Sequence, residues 1–175
     1  MTTEMTTHGD VVVRDARADE RDAIAELTLR VYGEYATIMA PAAWAGLEQA
    51  VRAALATTQS ADRVVAERGG RLAGSVMLFP PTSDAYGGLA APSTFPELRL
   101  LVVDSSHRGA GVGRLLVEEC IRRARSRGSA MLSLHTSASM RIARDLYVRM
   151  GFRRAPAYDF QPDGAELVEG YLLEL

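Results

Sequence analysis

Residues 97–114 constrain the fold of this chain more than any other segment. An apolar strand over 97–103 is followed by a turn and by Gly109, Gly111 and Gly113, which alternate with other residues directly before an amphipathic helical pattern. Because glycine has no Cβ, its backbone can adopt left-handed conformations and its N–H can approach a ligand closely. The start of the helix adds unpaired N–H groups and the positive end of its dipole. The segment therefore predicts a loop that binds an anion such as a phosphate.

Two familiar nucleotide-binding loops do not fit the surrounding sequence. The dinucleotide-binding loop lies in a repeating parallel strand–helix array, with an acidic residue roughly 20 residues further along. Here the glycine loop follows a predicted hairpin, and no such array comes after it. The P-loop requires Gly-Lys-Ser or Gly-Lys-Thr. This chain contains no lysine, so the P-loop is excluded as well.

Two segments resemble the motifs of one family. Arg108, Gly111 and Gly113 fill the pattern Arg/Gln-x-x-Gly-x-Gly/Ala, which is motif A of the GNAT superfamily of acyl-CoA-dependent N-acyltransferases. Residues 143–152, Ala-Arg-Asp-Leu-Tyr-Val-Arg-Met-Gly-Phe, resemble the family's Ala-x-x-Leu-Tyr-x-x-x-Gly-Phe pattern. Together the motifs cover residues 97–153. The resemblance implies an enzyme that transfers an acyl group from coenzyme A to an amine.

The order of predicted elements agrees with the GNAT fold, an α/β class. The resemblance implies a mixed central sheet of about six to seven strands, flanked by about four helices and splayed between the fourth and fifth strands. The fourth strand lies at 97–103 and the fifth at 130–135. Earlier elements are a helix from an N-cap at Asp19, a helix over 41–56, and a hairpin around Gly69-Gly70. Helix 139–150 and strands near 152 and 166–173 complete the order.

Composition limits the class of protein. We expect residues 1–9 to form a flexible tail and residues 10–175 to form a single GNAT domain. The net charge is −2, which gives no general electrostatic case for nucleic acid. No basic and apolar leader and no bilayer-spanning apolar run is visible, which predicts a soluble, cytoplasmic protein without membrane partners. Three scattered histidines and the lone Cys120 make no metal-ligand cluster.

The resemblance assigns acetyl-CoA as co-substrate and places it in the gap between the splayed strands. The pantetheine arm would run along the strand as an added strand does, and the pyrophosphate would lie on the glycine loop. Asparagine is common in the family where this chain has Met140, and Ser137 or Ser139 would replace that contact. The expected cofactor-binding residues are Leu101, Val102, Val103, Arg108, Gly109, Ala110, Gly111, Val112, Gly113, Arg114 and Ser139.

Three residues are candidates for catalysis. The Leu101 amide would meet the thioester oxygen and stabilise the charge that develops on it. Glu97 lies where several family members carry a general base, and it would accept the amine proton directly or through water; the alternative is a solvated residue at the start of a strand. Tyr147 occupies the family's tyrosine position and would donate a proton to the departing thiolate; the alternative is a packed core tyrosine.

The acceptor side is predicted from the first two helices. Tyr32, Tyr35 and Trp44, with His135 at the end of the fifth strand, are the candidate substrate-binding residues, although such side chains are often core packing. The acceptor is a small-molecule or peptide amine, and edge strands near the C-terminus make a homodimer reasonable. We expect direct transfer of an acetyl group to a primary amine in a ternary complex. The alternatives are a catalytically silent CoA-binding regulator and an acyltransferase for a longer acyl-CoA.

Overall fold

The computed structural model describes residues 5–57 and 60–175, which form one mixed eight-stranded sheet and four α-helices. The strands are β1 (Thr6–His8), β2 (Val11–Asp15), β3 (Asp62–Arg68), β4 (Arg71–Phe79), β5 (Glu97–Val103), β6 (Met131–Ser137), β7 (Arg153–Arg154) and β8 (Val168–Glu174). The helices are α1 (Arg21–Tyr32), α2 (Pro41–Leu55), α3 (Val112–Ser126) and α4 (Arg141–Arg149). The predicted α/β architecture is confirmed, with one strand more than the six to seven expected.

The additional strand lies in the segment predicted as a tail. β1 pairs antiparallel with β2, with Thr6 opposite Val13 and His8 opposite Val11. The two strands are joined through Gly9, whose φ is +61°. This strand is polar and has few apolar groups to bury, so the hydrophobic pattern gave no signal for it, and backbone pairing at the sheet edge creates it. Residues 1–4 of the predicted tail lie outside the described residues.

Local chemistry explains the elements that the sequence predicts well. β3 and β4 form an antiparallel hairpin, and its turn residues Gly69 and Gly70 have φ of +57° and +74°. A two-residue turn with two positive φ angles matches the twist of the flanking strands. Pro41 opens α2 at the first helical position, where its missing N–H costs nothing. α1 begins at Arg21, and Glu20, rather than the predicted Asp19, precedes it because a short 3-10 turn intervenes.

The strand order across the sheet is β1-β2-β3-β4-β5-β6-β8-β7. All neighbouring strands are antiparallel except β5 and β6, which are parallel and connected through α3. One face of the sheet packs against α3, whose apolar residues Val112, Leu116, Val117 and Cys120 recur at helical spacing and are buried. Burial raises the pKa of the Cys120 thiol, which agrees with an inert core cysteine. A second core, with Val51 on α2 and Phe79 and Leu100 on the sheet, covers the other face.

Candidate active site

The parallel strands β5 and β6 separate after a very short contact. Their register contains two pairs, Glu97 with Ser133 and Leu98 with Leu134. Beyond that point β6 continues to pair with β8 along residues 131–137, while residues 99–103 have no β6 partner. Backbone N–H and C=O groups that face such an opening require another partner. The predicted splay between these two strands is confirmed, and it provides an edge along which an extended amide chain can bind.

A β-bulge lies in β5 directly after the splay begins. Ser75 of β4 is opposite Val102 and Met77 is opposite Arg99, so two β5 residues, Leu100 and Leu101, lie across from one β4 residue. Leu100 has a φ of +53°, which is strained for a non-glycine residue. The Leu100 side chain packs with the α2-side core, whereas Leu101 packs against the α3-side core. The bulge therefore changes the direction of the strand at the residue that was predicted to donate to the thioester oxygen.

The glycine loop lies at the far end of β5. Asp104 accepts hydrogen bonds from the backbone and the hydroxyl of Ser106, and its pKa is held well below the usual range mainly by these bonds. Gly109 and Gly111 have φ of +78° and +79°, and α3 begins directly afterwards. Their left-handed backbone is the conformation that the sequence pattern predicted for a loop that approaches an anion.

Gly113 serves a different purpose from the two loop glycines. It lies within α3, and a Cβ added there would be 3.3 Å from Leu146 Cδ2 and 3.4 Å from Val103 Cγ2. The absence of a side chain thus lets α3 pack closely against β5 and α4. The expectation that all three glycines supply left-handed backbone holds for two of them. Of the other predicted loop residues, Val102 and Val112 have buried side chains, so only their main chain can reach a ligand, whereas Ala110 is exposed.

The two arginines of the loop are both paired with glutamates in this structure. Arg108 donates to Glu34, with 2.7 Å between Nη2 and Oε1, and this bond raises the pKa of the guanidinium. Glu34 belongs to the 3-10 segment that joins α1 to α2. Arg114 donates to Glu118 one turn further along α3 and is largely exposed. Both charges lie beside the loop, and the Arg108 pair also joins it to the segment between the first two helices.

A cleft of about 40 Å³ lies where β5 and β6 diverge. It brings together several residues that the sequence predicted for separate roles, namely Leu101, Tyr147, Tyr32, Tyr35 and His135. Met140 and Ala143, at the start of α4, also line it. Trp44 is half-buried on α2 and is not among the lining residues. Ser139 lies apart from them too: its backbone N–H, like the hydroxyl of Ser137, is directed to the carboxylate of Glu166.

Tyr147 lies in the cleft as a nearly buried side chain, with 5% exposed. Its ring contacts Phe152 edge-on at a centroid distance of 5.7 Å. Burial raises the pKa of the phenol well above its ordinary value, so the hydroxyl stays protonated at neutral pH. Within the described part of the chain, no residue forms a hydrogen bond with this hydroxyl. A protonated phenol is therefore available as a donor inside the cleft.

Glu97 is enclosed by polar groups, which differs from the solvated position considered as an alternative. Only 3% of the residue is exposed. The hydroxyl of Tyr86 donates to its Oε1 at 2.8 Å, Nδ1 of His135 lies 2.7 Å from the same oxygen, and Ser133 donates to Oε2. Nε2 of His135 lies 2.8 Å from the carbonyl oxygen of Tyr158. Glu97 does not line the cleft itself but a smaller cavity of about 10 Å³ beside it, while His135 lines both.

Three features of the site were missed from the sequence. Tyr86, in the loop between β4 and β5, packs its ring edge-on against His135 at 4.9 Å. Arg99 lines the cleft, and its position within an otherwise apolar strand is a signal that could have identified it. Thr136 also lines the cleft, and its buried hydroxyl oxygen has no hydrogen-bond partner among the described residues. Such an unsatisfied group inside a cleft is expected where a ligand supplies the partner.

Residues 5–57 and 60–175 contain neither a metal-binding cluster nor a membrane-spanning helix. This part of the chain holds no group of three or more His, Cys, Asp or Glu side chains arranged to bind a metal ion. None of its helices combines the length and the apolar character needed to cross a bilayer.

The sequence matches known proteins over its central part. A family model described as the acetyltransferase (GNAT) family matches residues 23–152. N-acetyltransferase 8F1 of Mus musculus is 34% identical over 94 residues, which are 54% of this chain and 40% of that protein. N-acetyltransferase 8B of Rattus norvegicus is 34% identical over 96 residues, again 54% of this chain and 40% of the relative. The matched region thus spans about 40% of the length of these relatives.

Solved structures resemble the whole chain. A GNAT family acetyltransferase from Brucella melitensis, in complex with acetyl-CoA, has a TM-score of 0.60 at 21% identity and covers 96% of this chain and 90% of that one. The protein yncA from Salmonella typhimurium, with its cofactor acetyl-CoA, has a TM-score of 0.64 at 18% identity and covers 95% of each chain. At these identities the likeness shows the fold.

Proposed function

Because the chain belongs to the acetyltransferase (GNAT) family, we propose that it transfers an acetyl group from acetyl-CoA to a primary amine by direct attack in a ternary complex. The observation that carries this proposal is the opening between β5 and β6, with the left-handed Gly109–Gly111 loop and the start of α3 at its far end. The opening offers backbone groups to an amide-containing arm, and the loop offers N–H groups to a pyrophosphate. The opening beside β5 thus suits the amide-containing arm of coenzyme A, and the loop after β5 suits its pyrophosphate.

The residues present fit this co-substrate in three further respects. Gly111 is left-handed, and no atom of the described residues lies within 4 Å of the position that a Cβ would take there. The unpartnered hydroxyl of Thr136 lies in the cleft and can donate to a carbonyl of a bound ligand. Arg108 and Arg114 add positive charge beside the loop. The N–H of Ser139 is directed to Glu166, so its hydroxyl is the group that would contact this ligand.

The carbon–sulfur bond of the thioester breaks in the reaction. Leu101 acts on its acyl side, and Tyr147 acts on its sulfur side. The amine nitrogen forms a bond with the thioester carbon, and the carbon–sulfur bond breaks. An N–H donor at Leu101 stabilises the charge on the carbonyl oxygen, an effect of about 2.7–4 kcal/mol per donor in other enzymes. The phenol of Tyr147 gives its proton to the departing thiolate, and burial keeps that phenol protonated beforehand.

Glu97 accepts the proton that the amine loses, and it does so through water. Both of its oxygens are already bonded to Tyr86, Ser133 or His135, so the acceptor amine does not contact it directly. The cavity of about 10 Å³ that Glu97 lines has the volume that one water requires. A water there can carry the proton to the carboxylate. His135 has both ring nitrogens engaged and serves to position Glu97.

The enclosure of Glu97 also favours the second candidate, a CoA-binding regulator without turnover, since the acceptor amine has no direct contact with this carboxylate. Two measurements separate the candidates. Calorimetry with coenzyme A tests the binding site, and release of free coenzyme A from acetyl-CoA over a panel of primary amines tests transfer. Binding with acceptor-dependent release supports the acetyltransferase. Binding without release for any amine supports the regulator, and a folded protein that does not bind coenzyme A contradicts both.

A further inference from the structure

Arg99 is an unpaired positive charge in the cleft. No aspartate or glutamate is among the described residues that line the cleft, and Arg99 is the one arginine there. Within residues 5–57 and 60–175, no carboxylate lies within 4.0 Å of its guanidinium. A half-buried cation without a counter-ion loses hydration and gains no ion pair in return. The site therefore has an electrostatic reason to bind an anion.

The guanidinium is held in place while most of its donors remain available. Its central carbon lies 3.9 Å from the centroid of the Tyr86 ring, and one N–H donates to the carbonyl oxygen of Ala85. A guanidinium has five N–H donors in a fixed planar fork. The charge also acts on Tyr32: burial raises the pKa of that phenol to about 12, and Arg99 opposes the rise. Arg99 thus lies near the aromatic residues of the acceptor side.

Glu97 does not neutralise this charge through an ion pair. It lies two residues earlier in β5, on the same face of the strand. Its oxygens are occupied by Tyr86, His135 and Ser133, and these bonds satisfy the carboxylate without Arg99. The donors of Arg99 that are not bonded to Ala85 therefore remain free for a ligand.

The position of Arg99 along β5 indicates which ligand supplies the anion. The phosphates of coenzyme A are placed at the glycine loop, beyond the end of β5 at Val103. Arg99 lies in the opposite direction, two residues before Leu101 and on the other side of the bulge. It also lies on the face covered by α1 and the Tyr86 loop. An anion at Arg99 is therefore part of the acceptor rather than of the acyl donor.

We propose that the acceptor is a primary amine that also carries a carboxylate, as amino acids do, and that Arg99 binds this carboxylate through two parallel N–H donors. A planar guanidinium matches a carboxylate in this bidentate geometry, and such bonds are strong and directional. Arg99 is then a specificity-determining residue. This inference rests on the proposed acetyltransferase function, because it assumes that the cleft receives the amine.

The test compares acceptors that differ only in the carboxylate. The full-length protein, loaded with coenzyme A, is titrated by calorimetry with L-phenylalanine and 2-phenylethylamine, and then with L-leucine and isopentylamine. At least one of the two amino acids is expected to bind about tenfold more tightly than its decarboxylated analogue, in line with a charge-assisted hydrogen bond between Arg99 and the carboxylate. In Arg99→Gln this difference disappears, whereas Arg99→Lys retains part of it. Arg52→Gln, which removes an exposed arginine on α2, serves as the control.

Two results would overturn the inference. One is equal binding of both members of each pair by the wild-type protein, which includes the absence of binding by all four. The other is an Arg99→Gln variant that weakens both members equally, since this would assign Arg99 a purely structural role in holding the Tyr86 loop. Binding of coenzyme A alone reports on the proposed function. If coenzyme A binds and the carboxylate makes no difference, this inference alone fails.

Discussion

Nδ1 of His135 lies 2.7 Å from Oε1 of Glu97, and the two side chains are 5% and 4% exposed. The carbonyl oxygen of Tyr158 can only accept a hydrogen bond, so Nε2 of His135 carries a hydrogen. The ring of His135 is thus engaged on both sides, by Tyr158 and by Glu97. Because the two side chains contact each other in an enclosed site, substitution of either is expected to displace the other.

Glu97→Gln removes the proposed proton acceptor. We expect kcat at neutral pH to fall by about 10²-fold or more, with the KM for acetyl-CoA unchanged. Because the base is needed only to remove the amine proton, activity should recover as the pH rises and the free amine becomes abundant. The pH–rate profile is the measurement. Ser133→Ala, which removes one bond to the carboxylate, is the control for altered packing. Full activity of Glu97→Gln at neutral pH would contradict the role.

Tyr147→Phe removes the buried hydroxyl but keeps the ring that packs against Phe152. We expect kcat to fall by about 10²-fold, because the thiolate loses its proton donor, and the affinity for acetyl-CoA to change little. Steady-state kinetics of coenzyme A release give both quantities. Tyr171→Phe removes a hydroxyl that bonds Glu169 outside the cleft and should leave kcat unchanged. An unchanged kcat in Tyr147→Phe would remove this residue from the mechanism.

Gly111→Ala forces a side chain into a left-handed backbone position. Among residues 5–57 and 60–175, no atom lies within 4 Å of the added Cβ, so the effect is conformational strain, about 1–2 kcal/mol, rather than a clash. We expect weaker binding of coenzyme A, because the loop relaxes away from the left-handed conformation. The matched variant Gly113→Ala has ordinary helical backbone but contacts Leu146 and Val103, so it changes packing instead. Calorimetry measures the affinity of both variants for coenzyme A. Wild-type affinity in Gly111→Ala would contradict the assignment of the loop to phosphate binding.

Glu34→Gln releases Arg108 from its ion pair. Exposed pairs of this kind contribute about 0.2–1 kcal/mol, so binding of coenzyme A should tighten by at most about fivefold as Arg108 becomes free for the phosphates. The double variant with Arg108→Gln should lose this gain, because the freed guanidinium is the source of it. Calorimetry at low salt is the measurement. If Glu34→Gln weakens binding, the ion pair supports the loop rather than competing with the ligand.

The stability of the fold should depend on pH through Glu20. Hydrogen bonds from the buried Arg14 are the main cause that lowers the pKa of this carboxyl from its usual 4.5 to about 2. A lowered folded-state pKa gives stability that is present above about pH 4.5 and is lost as the pH falls towards 2. Glu20→Gln should cost about 1–3 kcal/mol at pH 7, because Arg14 loses a charged partner, and this cost should diminish towards pH 2–3.

Urea unfolding of the wild-type protein and of Glu20→Gln at several pH values tests this prediction. Glu48→Gln is the control, because its exposed pair with Arg52 contributes little. A cost of Glu20→Gln that stays constant between pH 7 and pH 3 would show that the ion pair with Arg14 is not the source of the effect.

Features that depend on neighbouring residues can be predicted from the sequence alone. Gly69 and Gly70 indicate a tight hairpin, Pro41 marks the start of a helix, and the two loop glycines indicate left-handed backbone before α3. Each of these follows from the conformational freedom of one residue and its immediate neighbours. The family motifs add the order of the strands and the position of the opening between β5 and β6.

The chemical environment of the site depends instead on contacts between distant segments of the folded chain. Arg108 is paired with Glu34, 74 residues away, and Glu97 is enclosed by a tyrosine, a serine and a histidine from other segments. The bulge at Leu100 depends on how β5 pairs with β4. Burial, ion pairs and register result from contacts between distant parts of the chain, and a local pattern carries no information about which partner a side chain will meet. For that reason the sequence identified Glu97 and Tyr147 as candidates, whereas folding determined that one is enclosed and the other lines the cleft.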